Sequence, residues 1–185
     1  EWHSLVFIGV VSGLSLLIVI FHGFEWASIN WLGIGLFSVI VFLTEFISLE
    51  IYARETSIST SAAPLLAGVM LFGPVGAVVF SLVMSFAAWI KHRGPFSRLV
   101  FNFSNQLLAA GIVLLIIRSL DGTYLDWTQT YQLLMSLFGA MIVYIVTTAM
   151  ISMGIHFFRG TGVVEIWSRQ FRWLAVYYLL CGAFG

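Results

Sequence analysis

The amino-acid sequence predicts an all-α protein, a polytopic bundle of about seven transmembrane helices, and two observations lead to this fold class. Hydrophobic residues make up 61% of the 185 residues, charged residues make up only 9%, and the mean hydropathy is +1.04. Soluble globular domains average about 45–50% apolar and about 25% charged residues, so most of this surface must face lipid. The apolar residues also fall into separate runs, and several approach the roughly 20 residues of a membrane-crossing helix.

These apolar runs define seven segments of a single transmembrane domain. Residues 57–90 are too many for one simple span. We divide them at Gly73-Pro74, because glycine is favoured just past a helix end and proline in the first turn of the next helix. The last run is short for a span and the chain starts at Glu1, so we expect a fragment whose seventh helix is truncated. The predicted segments are residues 4–21, 31–48, 59–72, 74–90, 99–117, 133–155 and 171–185.

Basic residues collect in the predicted loops on one side of this bundle. Lysine and arginine accumulate in the cytoplasmic loops of membrane proteins. The division at Gly73 leaves only Arg118 on the opposite side, so the sequence predicts an integral protein of the bacterial cytoplasmic membrane with a cytoplasmic N-terminus. We expect these basic loops to contact lipid headgroups, and docking of a cytoplasmic partner is an open alternative. The basic set is Arg54, Lys91, Arg93, Arg98, Arg159, Arg169 and Arg172.

Three amide side chains in the fifth segment are the first candidates for ligand binding. The i, i+3, i+4 spacing of Asn102, Asn105 and Gln106 places them on one helical face. Amides at membrane depth are costly unless they are hydrogen-bonded. They would either line a polar pocket or join helices through hydrogen bonds worth roughly 0.6–2 kcal/mol each. The sequence leaves both interpretations open.

Glu45 is the other candidate for ligand binding. It lies in the second segment within the apolar run FLTEF, and a carboxylate inside a membrane segment is by default a functional hypothesis. However, the side chain is only about one helical turn from the charged residues 50–55, so it could instead reach the membrane interface.

Small residues recur every four positions along the fourth segment. Gly73, Ala77, Ser81 and Ser85 form this stripe. Small side chains let helix backbones approach closely in lipid, so the stripe predicts helix packing.

The remaining patterns argue against several functions. The net charge is zero and no basic stretch suggests binding to nucleic acid. Cys181 is the only cysteine, and no HExxH, GxSxG or P-loop pattern is present. We therefore expect no catalytic site, no metal site and no cofactor. The expected partners are the lipid bilayer and other membrane protein chains, or a second copy of this chain.

Four stretches together resemble the membrane-embedded sensor regions of bacterial signalling proteins. These stretches are SISTSAAPLLAGVMLFGPVGA (57–77), KHRGPFSR (91–98), VFNFSNQ (100–106) and EIWSRQFRWL (165–174). Such regions typically precede a GGDEF diguanylate cyclase or an HD-GYP phosphodiesterase domain. The resemblance implies a region that couples a small ligand or a membrane state to a cytoplasmic output domain. The charged residues 49–55 depart from the pattern, and no output domain is present in this sequence.

Two other functions compete with this interpretation. The apolar helix hairpin that turns at Gly73-Pro74 is also similar to the substrate-binding S components of energy-coupling-factor vitamin transporters. Those proteins bind their substrate from outside, whereas the predicted topology places the amides of the fifth segment in the inner half. The third alternative is an accessory subunit that packs against a larger membrane complex, which an aromatic content of 16% would suit.

Overall fold

The structure, a computed structural model, describes residues 2–23, 29–47, 62–120 and 128–184. Every regular element in these ranges is helical and none is a strand, which confirms the predicted all-α bundle. The helices are α1 (Trp2–His22), α2 (Trp31–Ile47), α3 (Ala62–His92), α4 (Phe96–Ser119), α5 (Gln129–Arg159), α6 (Val163–Ile166) and α7 (Leu174–Phe184), with a π-helical turn (Trp167–Phe171) between α6 and α7.

Helix α3 consists of two arms, residues 62–72 and 74–92, that meet at Gly73. The backbone of Gly73 has φ 59° and ψ −143°, far from helical values. A Cβ atom placed on Gly76 would lie 2.6 Å from the carbonyl oxygen of Gly68. Residues eight positions apart in a continuous helix are separated by ~12 Å, so this contact requires the two arms to fold back on each other. The turn lies at the Gly-Pro pair of the sequence.

Within the described residues, four helical stretches are long and apolar enough to cross a membrane, and two shorter apolar helices, α2 and α7, accompany them. One of the four contains the break at Gly73, so its length belongs to two arms and not to one straight span. Large apolar side chains on α1 and α2 point away from the bundle, as a surface in contact with lipid requires. The four stretches are Ser4–Phe21, Ala63–His92, Phe96–Ser119 and Gln129–Phe157.

Side-chain contacts fix the relative directions of the long helices. Near the start of α1, the ring of Phe7 lies 6.0 Å from the ring of Phe101 in α4 and 5.2 Å from that of Phe157 in α5. Near the end of α1, Nη1 of Arg118 donates a hydrogen bond to the carbonyl oxygen of Phe21 at 3.3 Å. Helices α1 and α4 therefore run parallel, and α5 runs antiparallel to both.

One face of the bundle carries most of the described basic residues, and we call it the basic face. Helix α4 begins on this face, α3 and α5 end on it, and the chain continues from α5 into α6 and the π-helical turn. Arg118 lies at the opposite end of α4. Arg54 lies outside the described residues, and the cytoplasmic orientation of this face stays a prediction. The basic residues on this face are Lys91, Arg93, Arg98 and Arg159, whereas Arg169 and Arg172 lie in and just after the π-helical turn, which contacts the middle of α5.

The structure corrects the prediction that the basic residues all lie in loops. Lys91 belongs to the last turn of α3, and Arg98 belongs to the first turn of α4. Only residues 93–95 separate these two helices, because Pro95 already serves as the N-cap of α4. Arg159 is likewise the last residue of α5 and Arg169 lies in the π-helical turn.

The four residues of the small-residue stripe do not share one structural role. Ala77, Ser81 and Ser85 are fully buried on the second arm of α3, and Ala77 packs in the main apolar core with Phe80. The prediction that Gly73 packs against another helix was wrong. Gly73 forms the turn, and a Cβ atom placed on it would have no neighbour within 4 Å.

The helical path into the seventh segment begins earlier than predicted. It starts at Val163 in α6 and continues through the π-helical turn, whereas the sequence placed the beginning at Phe171. Two contacts with α5 support this path. The hydroxyl of Tyr144 donates a hydrogen bond to the carbonyl oxygen of Phe171 at 3.1 Å, and Nε1 of Trp167 donates to Oγ1 of Thr148 at 3.2 Å.

Candidate functional site

The three amides predicted on α4 differ in burial. Asn105 is 1% exposed, whereas Asn102 and Gln106 are half-buried. Oδ1 of Asn105 has no hydrogen-bond partner among the described residues. The neighbouring Ser104 shares a hydrogen bond of 2.7 Å with Ser12 of α1. This part of α4 therefore contains one hydroxyl group that is hydrogen-bonded to α1 and one buried carbonyl oxygen that has no hydrogen-bond partner among the described residues.

Glu45 is buried inside the bundle. Only 7% of its surface is exposed, although it lies just before the end of α2 at Ile47. The carboxylate lies within electrostatic range of the hydroxyl groups of Tyr177 and Tyr178 in α7, a helix that is distant in sequence.

Helix α7 contributes three polar side chains to this region, two tyrosines and one cysteine. The rings of Tyr177 and Tyr178 meet edge to face with centroids 5.8 Å apart. The hydroxyl of Tyr178 interacts with the side chain of Thr147 in α5. The buried thiol of Cys181 interacts with the hydroxyl of Tyr177 and with the backbone of Ala63 at the start of α3.

We call the residues of this region the Glu45 cluster. Two phenols and a thiol of α7 lie together there, beside a threonine hydroxyl of α5 and the first turn of α3, and the carboxylate of α2 lies within electrostatic range of the phenols. Thr147 is buried near the middle of α5, so this part of the cluster is inside the bundle. The cluster comprises Glu45, Ala63, Thr147, Tyr177, Tyr178 and Cys181.

Close packing holds α7 against α5 at this site. A Cβ atom placed on Gly182 would lie 2.7 Å from Cβ of Ala140 and 2.9 Å from the carbonyl oxygen of Ser136. One turn earlier, the rings of Tyr144 and Tyr178 lie 5.5 Å apart. A change in the position of α7 would therefore require these contacts with α5 to change.

The chemistry of the cluster suits hydrogen bonding to a small molecule. A carboxylate accepts hydrogen bonds, and phenol hydroxyl groups both donate and accept them. Burial strengthens such bonds because no water competes for them. The described residues contain no group of three or more histidine, cysteine, aspartate and glutamate side chains that could hold a metal ion.

The sequence identified one half of this cluster and missed the other. It singled out Glu45, but it did not single out the tyrosines of α7. Tyr177 and Cys181 are four positions apart, which places two polar groups on one face of an otherwise apolar helix. That spacing was the available signal. The amides of α4 belong to another interface, where Ser104 contacts α1.

Comparisons with known proteins add no relative to this description. No protein-family model matches the chain, and no curated protein and no solved structure matches it.

Proposed function

We propose that this chain is the membrane-embedded sensor region of a signalling protein, which couples a small ligand to a cytoplasmic output domain. The observation that supports this proposal best is the Glu45 cluster. A buried carboxylate with phenol and thiol neighbours inside a membrane segment is costly to maintain, and such residues typically mark binding sites or ion pathways.

The proposed ligand is a small amphipathic molecule that carries a hydrogen-bond donor, such as an amine or a hydroxyl group. Glu45 would accept that hydrogen bond, and Tyr178 would provide a second polar contact. The apolar side chains of α2, α3 and α7 would surround the rest of the molecule. The amides Asn102, Asn105 and Gln106 are a second candidate site for the same function.

Helix α7 is the proposed carrier of the signal. It contributes Tyr177, Tyr178 and Cys181 to the cluster, and it directly follows the π-helical turn, which continues the chain from the basic face. A ligand shifts a conformational equilibrium only as far as its affinities for the two states differ, and a tenfold difference corresponds to about 1.4 kcal/mol. Binding between α2 and α7 would favour one position of α7 over another.

Sequence resemblance supports the same proposal. The four stretches that resemble bacterial sensor regions include the turn of α3, the start of α4 and the whole of the π-helical turn. The alternatives are an S component of a vitamin transporter and an accessory subunit of a larger complex. If the basic face is cytoplasmic, the N-terminus of the chain is cytoplasmic as well.

The first experiment is to determine the intact mass of the protein purified from its native membrane. A mass well above 20.6 kDa, the mass of this chain, is expected because an output domain would be attached. A mass near 20.6 kDa together with a co-purifying ATPase would replace the proposal with the transporter component. Stoichiometric recovery within a large complex would replace it with the accessory subunit.

The second experiment tests the site within the full-length protein. Glu45→Gln removes the negative charge but keeps the size of the side chain, so we expect output activity in native membranes to change at least severalfold. The matched control is Glu165→Gln, which alters an exposed glutamate paired with Arg169 at 3.0 Å. Unchanged output in Glu45→Gln, with normal membrane insertion, would contradict a role for the cluster.

A further inference from the structure

The connection between α3 and α4 is a compact elbow, which we define as residues 89–98. Nε1 of Trp89 donates a hydrogen bond to the carbonyl oxygen of Gly94 at 2.7 Å. The backbone N–H of Arg93 donates to the carbonyl oxygen of Trp89 at 2.9 Å. A Cβ atom placed on Gly94 would lie 3.0 Å from Cδ of Arg98, so the side chain of Arg98 folds back over the elbow.

The elbow carries two exposed cations. Arg93 and Arg98 are exposed, and neither forms an ion pair with a carboxylate in the part of the chain that the structure describes. The described carboxylates lie elsewhere, since Glu45 is buried in the bundle and Glu165 pairs with Arg169.

Apolar side chains border these cations. A surface cleft of about 200 Å³ is lined by Trp89, Ile90, Arg93 and Gly94. The ring of Phe86 stacks on Trp89 with centroids 6.0 Å apart, one turn toward the middle of α3. Phe96 is 69% exposed at the start of α4. Cations at the helix ends and exposed rings along the helices form an amphipathic surface.

We propose that the elbow is a binding site for an anionic phospholipid. Its phosphate would lie between the guanidinium groups of Arg93 and Arg98, and its acyl chains would follow Phe86 and Trp89 into the bilayer. Guanidinium groups bind phosphate through paired hydrogen bonds. Since no described carboxylate at the elbow balances these cations, a lipid with net negative charge fits better than a zwitterionic one. This inference is independent of the sensor function.

The test measures lipid binding to the full-length purified protein by native mass spectrometry. Phosphatidylglycerol should bind about tenfold more tightly than phosphatidylcholine, as expected for two cations near a lipid phosphate. The double variant Arg93→Gln with Arg98→Gln should lose that preference. Arg118→Gln is the matched control, because this arginine lies at the opposite end of α4, and it should leave the preference unchanged.

Three results would overturn the proposal. The first is equal binding of the two lipids by the wild type, and the second is an unchanged preference in the double variant. The third is displacement of phosphatidylglycerol by inorganic phosphate, which would indicate a site for free anions.

If the double variant fails to fold, the salt dependence of lipid binding to the wild type still decides the question. Its preference should weaken when sodium chloride is raised from low to high concentration, because salt screens exposed charges. A preference that is independent of salt contradicts phosphate binding.

Discussion

At the scale of single residues, Asn105 allows the two interpretations of the α4 amides to be separated. Its side chain is buried, and its carbonyl oxygen has no hydrogen-bond partner in the described part of the protein. A buried polar group without a partner costs free energy, and an apolar group of similar size removes that cost. The carbonyl oxygen of Asn105 therefore receives no hydrogen bond from the described residues, and a variant at this position can separate the two interpretations.

We predict that Asn105→Leu leaves the stability of the protein unchanged or raises it by about 1 kcal/mol. The measurement is thermal unfolding in detergent micelles. Asn102→Leu serves as the control, since this half-buried amide lies on the same helix face. A stability loss of several kcal/mol in Asn105→Leu alone would show that the amide holds helices together. Preserved stability with altered output activity would instead assign it to the ligand site.

At the scale of elements, the turn of α3 could be anticipated and the π-helical turn could not. The pair Gly73-Pro74 is a local signal, because each residue favours one side of a helix boundary. The π-helical turn depends on Tyr144 and Thr148 of α5, which bind it through hydrogen bonds across the fold. For the same reason the sequence revealed Glu45 but not Tyr178, which only the packing of α7 brings near.

Gly73 and Gly160, two of the three described glycines with positive φ, test the backbone of the α3 turn. Gly73 has φ 59° and ψ −143°, whereas Gly160 has φ 71° and ψ 5°. A Cβ atom placed on either glycine would have no neighbour within 4 Å, so alanine meets no steric clash at either position. Any difference between the two alanine variants therefore reports backbone conformation alone.

We predict that Gly73→Ala destabilises the protein by about 3 kcal/mol and Gly160→Ala by about 1 kcal/mol. The conformation of Gly73 is close to a region that only glycine adopts readily, whereas that of Gly160 is the left-handed helical region that other residues tolerate. Thermal unfolding of both variants in detergent provides the comparison. Equal losses in the two variants would mean that the turn relaxes to a conformation other than the one described.

At the scale of the whole molecule, the described basic residues are distributed unevenly between the two ends of the bundle. Described basic residues from the ends of α3 and α5 and from the start of α4 lie on one face. Arg118 stays at the other end of α4, where it contacts the backbone of Phe21. Charge asymmetry of this kind sets the orientation of membrane proteins. The orientation also decides whether a ligand reaches the Glu45 cluster from the cytoplasm or from outside.

Cysteine labelling tests this orientation directly. Ser97→Cys would place a thiol at the basic face, and Leu120→Cys would place one at the opposite end of α4, where both native side chains are exposed. The wild type provides the control, because its only cysteine, Cys181, is buried. We predict that a membrane-impermeant maleimide labels Leu120→Cys in intact cells and Ser97→Cys only in inverted vesicles. The reverse pattern would place the N-terminus outside, and labelling of both variants from one side would mean that α4 does not cross the membrane.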